Sequence, residues 1–227
     1  MDAAFDETQM KNGRRLALKL LNVSKFALSF ADTSDGPITE ALDLAMIARL
    51  AKIVALDLLD YSKAIEHAEA FFWWYCDDYV EQVKSRAYGT GVGAASAHRA
   101  LAESLSVIQR LFAPFLPFAS EESWSWWKGE FVHRVQWPDA SSLKALAGPE
   151  TTGATTDVVS EVLREIRRTK SEAKVSMKTE VVRLVINDSA QRLAFLRAAE
   201  LDLRDAGKVS QIDMNTSDAF KISVTLV

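Results

Sequence analysis

Apolar residues in the first part of the chain recur at the three- and four-residue spacing of amphipathic helices. In the first of these helices Leu16, Leu20 and Val23 fall on one side at roughly 100° per residue, which is typical of a face packed against a core. Ser62 can cap the third helix and Pro117 can begin the fifth. The spacing predicts helices at about 5–30, 41–59, 62–88, 95–112 and 117–127, and an extended segment at 132–137. Residues 1–138 are therefore predicted to form a helical bundle.

The pattern changes after residue 138. Residues 139–155 are mostly small and polar, which favours a linker or domain boundary. In residues 156–227, helical spacing at about 157–174 and 190–206 alternates with the strand-like runs VVRLVIN, VSQIDM and AFKISVTLV. We therefore predict a mainly α chain, in which the bundle is followed by a small α+β module of order α-β-α-β-β.

The composition is that of a globular protein of mixed charge, with 48% hydrophobic residues and a formal net charge of −4. Because Cys76 is the only cysteine, no internal disulfide can form, and a reducing, cytoplasmic location is predicted. No segment approaches the ~20 apolar residues of a membrane span, so no membrane partner is predicted. The sequence pI near 5.5 argues against wholesale coating of nucleic acid but leaves room for a local basic surface.

The sequence contains no recognisable catalytic or metal-binding set. Its three histidines lie far apart without metal-ligand spacing, and its glycines do not follow a strand as a phosphate loop requires. Cys76, between aromatic residues on a helix, is predicted to be a small buried group and not a nucleophile. The adjacent acids at 77–78 and 121–122 point in different directions on a helix. We therefore expect them to lie on solvated faces or to pair with Lys84 and Arg86. No catalytic residue, metal or cofactor is predicted in this chain.

One face of the first helix carries cations without acids. The stretch KNGRRLALKLLNVSKF, residues 11–26, holds five cations and no acid. A surface helix usually interleaves acids with bases to relieve repulsion. Two interpretations of this face are therefore open: it binds a polyanionic partner, or it is an ordinary solvated surface. A second basic cluster on the helix at 157–174 is tempered by glutamates, and a solvated face and a phosphate contact stay open for it; its members are Arg164, Arg167, Arg168 and Lys174. The residues opposite the apolar stripe are Lys11, Arg14, Arg15, Asn22 and Lys25.

Aromatic residues crowd the third helix in the stretch FFWWYCDDY. Exposed rings can stack on nucleic-acid bases, but neighbouring residues of a helix face several directions. Packing is therefore predicted for most of these rings, since aromatic side chains dominate cores. Four further tryptophans, at positions 124, 126, 127 and 137, are predicted to cover the end of the bundle.

Four segments resemble, in order, the anticodon-binding region of valyl-tRNA synthetases, a family of class I aminoacyl-tRNA synthetases. They are GRRLALKLLNVSKFAL, FFWWYCDDYVEQVKSRAY, LFAPFLPFASEESWSWW and FVHRVQWP, and together they cover about Phe5 to Pro138. The later EIRRTKSEAKVSMK is similar to the next helix of synthetases for branched aliphatic amino acids. The resemblance implies the carboxy-terminal portion of a valine–tRNA ligase, whose catalytic domain uses ATP and Mg²⁺. The H-x-G-H signature of that domain is absent, so this chain alone is expected to be inactive.

The resemblance and the basic face together predict a site for the anticodon arm of valine tRNA. Lys11, Arg14, Arg15 and Lys25 are expected to contact anticodon-loop phosphates and unstacked bases, and Asn22 to hydrogen-bond a base edge. Lys84 and Arg86 are secondary candidates for phosphate. The expected partners are tRNA and the catalytic domain of the same enzyme, in a monomer. The alternatives are a protein-interaction or interdomain platform without RNA binding, and the equivalent region of an isoleucyl-tRNA synthetase.

Overall fold

The first part of the chain is helical, as the apolar spacing predicts. The computed structural model describes residues 7–31, 34–56, 61–148, 151 and 153–227. A π-helical segment, Tyr75–Tyr79, joins the third helix directly to the fourth, and a short 3-10 turn, Val132–Arg134, follows the sixth. The helices are α1 (Glu7–Leu28), α2 (Ala41–Val54), α3 (Tyr61–Trp74), α4 (Val80–Ala87), α5 (Val92–Phe112) and α6 (Pro117–Ser125).

The second part combines helices with one small sheet. Its central strand pairs in parallel with the second strand and antiparallel with the third, which gives the order β2-β1-β3. The predicted fold class, mainly α with a small α+β module, is confirmed. The elements are α7 (Ala140–Ala147), α8 (Ala154–Glu172), β1 (Val181–Asp188), α9 (Ala190–Ala198), α10 (Glu200–Gly207), β2 (Val209–Thr216) and β3 (Lys221–Leu226).

The bundle core is built from the predicted apolar faces. Leu16, Leu20 and Val23 of α1 are buried, so the stripe on that helix faces inward as expected. Helix α5 contributes Leu101 and Leu105, which are fully buried between the surrounding helices. With α1 anchored in this way, its opposite face is left to solvent.

Most of the aromatic stretch belongs to the core, as predicted. Phe72, Tyr75 and Tyr79 are fully buried, whereas Trp73 and Trp74 are half-buried. The Tyr79 hydroxyl donates to Asp43 Oδ1 at 2.8 Å, and burial is the main reason why its pKa lies well above the usual range. The predicted burial of Cys76 is also confirmed, and loss of hydration raises the pKa of its thiol to about 12. This thiol is therefore protonated and inert at neutral pH.

The stretch at 139–155, predicted to be a linker or domain boundary, contains the helix α7. The Asp139 side chain caps α7 by accepting from the Ser141 and Ser142 amides at 3.1 and 3.0 Å. Leu143 of this helix is buried, and α7 packs against α2. The stretch is rich in serine and alanine, so its helical spacing rests on few large apolar residues and is easily overlooked.

Other boundaries differ from the sequence predictions by up to five residues. The predicted third helix is interrupted by the π-helical segment, the extended segment at 132–137 begins as a 3-10 turn, and the helix at 190–206 breaks at Ala199. The second helix ends at Val54. Phe5, residues 57–59 and the side chain of Ser62, which the predictions also include, lie outside the described part.

The two parts of the chain share one contiguous apolar core. Val181, Leu184 and Leu193 of the second part pack into the same cluster as Leu42 and Phe72 of the bundle. Where α4 meets α8, a buried hydrogen bond from the Gln82 amide to the Ser160 hydroxyl spans 2.8 Å. The second part therefore docks on the bundle through buried contacts. Among the described helices, none is long and apolar enough to cross a membrane.

Candidate nucleic-acid interface

The exposed face of α1 carries the residues predicted from the sequence. Lys11, Arg14, Arg15, Asn22 and Lys25 all lie on the side of α1 opposite its buried stripe, where they reach solvent. The Asn22 amide has no hydrogen-bond partner among the described residues. These five side chains are therefore brought together as one surface, which we call the α1 face.

Carboxylates from two places reach cations of α1. Lys11 lies 3.6 Å from Glu7, one turn earlier, and Lys19 forms a 2.6 Å ion pair with Asp77 of the π-helical segment. Sequence reasoning missed the second pair because its partners are far apart in the chain. Within the described residues, no carboxylate lies at ion-pair distance from Arg14, Arg15 or Lys25. These three cations leave the α1 face with a net positive charge.

Two partly exposed indole rings flank the cations. The Arg15 guanidinium and the Lys19 ammonium each lie 5.6 Å from the centroid of Trp73, and the Lys25 ammonium lies 5.8 Å from that of Trp126. Such contacts contribute about 0.5–1 kcal/mol at exposed sites. Each indole N–H is also fixed, since it donates to a glutamate one turn earlier at 3.0 Å. Each of the two rings therefore lies beside at least one cation of α1.

A buried amide holds α6 against α1. Gln109 of α5 donates from Nε2 to the Ser123 hydroxyl at 2.9 Å and, more weakly, to the Ser24 hydroxyl at 3.4 Å. Its Oε1 accepts from the Trp127 indole at 3.1 Å. Both ends of the Gln109 amide are satisfied by groups from α1 and from α6 and the residues just after it. Gln109 therefore ties α5 to α1 and to both α6 and the residue Trp127 that follows it.

Lys84 and Arg86 of α4 point in different directions, although both were predicted as phosphate contacts. Lys84 is half-exposed and pairs with Glu81 at 3.2 Å. The Arg86 side chain is only 13% exposed, and its guanidinium donates to both oxygens of Asp43 at 2.8 and 3.0 Å and to Asp202 at 2.8 Å. Residues two apart on a helix are turned by about 200°, which explains the difference. Arg86 is therefore removed from the candidate interface.

The charges around Arg86 are balanced inside the protein. Burial alone would lower the pKa of Arg86, but hydrogen bonds and charge from Asp43 and Asp202 raise it above its usual value. Burial raises the pKa of Asp202, and Arg86 opposes that rise. Asp43 also accepts from the Ser96 hydroxyl at 2.7 Å. The group is a structural tie between α4, α2 and α10.

The second basic cluster, on and just after α8, is neutralised in part, because two of its four cations have carboxylate partners. Arg167 lies 3.5 Å from Asp78, and Arg168 pairs with Glu165 at 2.6 Å. The acids at 77 and 78, expected near Lys84 and Arg86, pair instead with Lys19 and Arg167.

Nowhere in the described ranges do three histidine, cysteine, aspartate or glutamate side chains lie close enough to hold a metal ion.

The sequence matches a known family across most of this architecture. The family model described as the anticodon-binding domain of tRNA ligase matches residues 47–186, which is more than half of the chain. That match begins after α1 and runs through most of β1.

Curated relatives extend the similarity to the whole chain. The valine–tRNA ligase of Thermobifida fusca is 46% identical over 98% of this chain and 26% of its own length. The enzymes of Salinispora arenicola and Cutibacterium acnes are 45% and 42% identical, over 96% and 95% of this chain and 28% and 26% of their own lengths. The chain thus spans about a quarter of these relatives. These matches confirm the resemblance read from the four segments: the chain belongs to the anticodon-binding domain family of tRNA ligases, and its relatives are valine–tRNA ligases.

Proposed function

We propose that this chain binds the anticodon arm of valine tRNA through the α1 face, as a region of a valine–tRNA ligase. The observation that carries the proposal is the set of three cations, Arg14, Arg15 and Lys25, that have no carboxylate partner among the described residues. They lie on the same face as the unpartnered amide of Asn22. On a helix that only faces solvent, like charges that no acid compensates repel one another and destabilise the helix.

The chemistry of the α1 face suits a single-stranded RNA loop. Proteins read RNA sequence mainly in loops whose bases are unstacked, because the deep groove of an A-form stem is closed to side chains. Arginine and lysine contact phosphates and thereby position the loop, whereas an asparagine amide can pair with a base edge. Valine anticodons end in A and C, so these two bases are the proposed targets of the α1 face. Lys84 is a further proposed phosphate contact.

The rest of the proposal concerns the full-length enzyme. Its catalytic domain, which would use ATP and Mg²⁺ to attach valine, is the proposed protein partner of this chain. The chain carries no H-x-G-H signature, so we expect no aminoacylation from it alone. The proposed enzyme acts as a monomer in the cytoplasm.

Binding to two RNA hairpins tests the proposal. One hairpin carries the anticodon stem and loop of valine tRNA, and the other differs only in the middle anticodon base. We expect binding that weakens as salt rises, because phosphate contacts release counterions, and that prefers the valine hairpin. Binding without preference would leave only a phosphate-gripping surface, and failure with both hairpins and with whole valine tRNA would overturn the proposal.

A second candidate function is an interdomain platform. It is favoured by large apolar side chains that α6 and the following segment leave exposed, since partner-binding surfaces present apolar and aromatic anchors. Phe118 is 90% exposed, and Phe131 and Trp137 are also exposed. None of these residues belongs to the α1 face, so the platform does not require the cations of that face. Loss of docking to the catalytic part of the enzyme in Phe118→Ser, with hairpin binding retained, would support the platform.

A further inference from the structure

Tyr88 is an exposed aromatic side chain at the end of α4. It follows the last residue of that helix, keeps a helical backbone conformation and is 66% exposed. Its hydroxyl has no hydrogen-bond partner among the described residues. An exposed ring of this size raises the question of what fixes it and what it contacts.

The Tyr88 ring packs against two aromatic rings, one on α1 and one just after it. Its centroid lies 6.0 Å from that of Phe26 and 5.4 Å from that of Phe30, both edge to face. Phe30 in turn stacks on the buried His98 ring at 4.6 Å, and the His98 Nε2–H donates to the Ala87 carbonyl at 2.7 Å. The residue before Tyr88 is thus fixed by a hydrogen bond, and its ring by two edge contacts. The side chain is held in place before any ligand arrives.

Tyr88 is one helical turn from Lys84 and packs on a residue one turn from Asn22. Phe26, which it touches, follows Asn22 by one helical turn on α1, and Tyr88 itself follows Lys84 by one turn on α4. Residues four apart on a helix are neighbours on its surface. The exposed ring is therefore close along the helices to both the proposed base-reading amide of α1 and the proposed phosphate contact of α4.

We propose that Tyr88 is a stacking residue for one unpaired base of the anticodon loop. The inference rests on the proposed function and adds a residue that the sequence patterns did not single out. Every base has a flat face, so stacking on an aromatic side chain adds to the binding free energy whichever base is stacked. A residue that only covered Phe26 and Phe30 would need apolar volume and not a flat ring, and this difference makes the proposal testable.

Three variants separate stacking from packing. Tyr88→Leu keeps apolar contact with Phe26 and Phe30 but removes the flat ring, whereas Tyr88→Phe keeps the ring. We expect Tyr88→Leu to raise the Kd for the valine hairpin about 5- to 100-fold and Tyr88→Phe to bind as the unchanged chain does. The salt dependence should not change, because no charge is removed. Phe118→Ala, which also removes an exposed ring, is the matched control and should leave hairpin binding unchanged.

Hairpins that lack single bases identify the stacked partner. For one loop position, removal of the base should abolish the difference between the unchanged chain and Tyr88→Leu, as a double-mutant cycle requires. Equal affinity of Tyr88→Leu, an equal loss in Tyr88→Phe, or the same difference at every loop position would each overturn the stacking role. If the unchanged chain binds neither the hairpins nor whole valine tRNA, the proposed function itself fails. Thermal unfolding checks that each variant is folded, and Tyr88→Met replaces Tyr88→Leu should that variant not fold.

Discussion

At the residue scale, Lys84 and Arg86 show how two cations of one helix can have unrelated roles. They lie two positions apart, yet Lys84 faces solvent while Arg86 is enclosed by Asp43 and Asp202. A buried guanidinium between two carboxylates stabilises the fold because it compensates negative charges that water cannot solvate. Substitution of each residue should therefore change a different measured quantity.

Arg86→Ala should strongly destabilise the protein. Removal of one member of a buried ion pair typically costs about 3–5 kcal/mol, because the remaining charge is left uncompensated. Urea unfolding at neutral pH measures the decrease in the free energy of unfolding. This decrease should shrink as the pH falls, since without Arg86 the already raised pKa of Asp202 rises further and protonation then removes the unpaired charge.

Lys84→Ala is the control for Arg86→Ala on the same helix. Lys84 forms an exposed pair with Glu81, so its removal should change the free energy of unfolding by less than about 1 kcal/mol. Its effect should instead appear in the salt dependence of hairpin binding. Comparable destabilisation by the two variants would contradict the buried role of Arg86.

Asn22→Ala should reduce discrimination between the two hairpins and not only affinity. If the amide reads a base edge, the ratio of the two Kd values should fall by about 5- to 140-fold, which corresponds to about 1–3 kcal/mol. Asn12, another exposed asparagine of α1, provides a matched control, and Asn12→Ala should keep the ratio. An equal loss of affinity for both hairpins in Asn22→Ala would show that this side chain only positions the RNA.

At the scale of elements, α1 combines a buried stripe with an exposed basic face, and its neighbours complete the surface. The periodicity of α1 allowed both faces to be predicted, because three- and four-residue spacing is a local property of a helix. The flanking rings could not be predicted, since Trp73 belongs to α3 and Trp126 follows α6. Their positions beside α1 depend on how the helices pack.

Arg15→Ala should weaken hairpin binding and flatten its salt dependence. For each phosphate that the protein no longer neutralises, the slope of log affinity against log salt becomes shallower by about 0.7–1. Lys144→Ala on α7 removes the same charge from an exposed position away from the α1 face and should leave the slope as it is. A slope in Arg15→Ala equal to that of the unchanged chain would remove Arg15 from the interface.

At the scale of the whole molecule, the contiguous core makes the two parts one structural unit. The sequence predicted a boundary at 139–155, yet α7 occupies part of this stretch and packs on α2. Apolar side chains of β1 and α9 enter the same core as those of the bundle. The tie between Arg86 and Asp202 adds a buried ion pair between α4 and α10.

Unfolding of the bundle and of the sheet should therefore coincide. All six tryptophans lie in the stretch from Trp73 to Trp137, so their fluorescence reports on the bundle alone. Hydrogen exchange at amides of β1 reports on the sheet. We expect both measurements to give the same free energy of unfolding, as a single cooperative transition requires. Earlier opening of the sheet would show that the second part is an independent unit.

By itself the sequence determined the fold class, the family resemblance and the basic face of α1. Each of these depends on residues that are close in the chain, where helical geometry fixes which side chains share a face. Only the tertiary structure decided that Arg86 is internal, that Lys19 meets Asp77 and that Tyr88 rests on Phe26. These contacts join residues 43 to 116 positions apart for Arg86 and 58 apart for Lys19, and they depend on how helices pack. Local periodicity carries no information about such partners, because packing brings together faces that the sequence describes only one at a time.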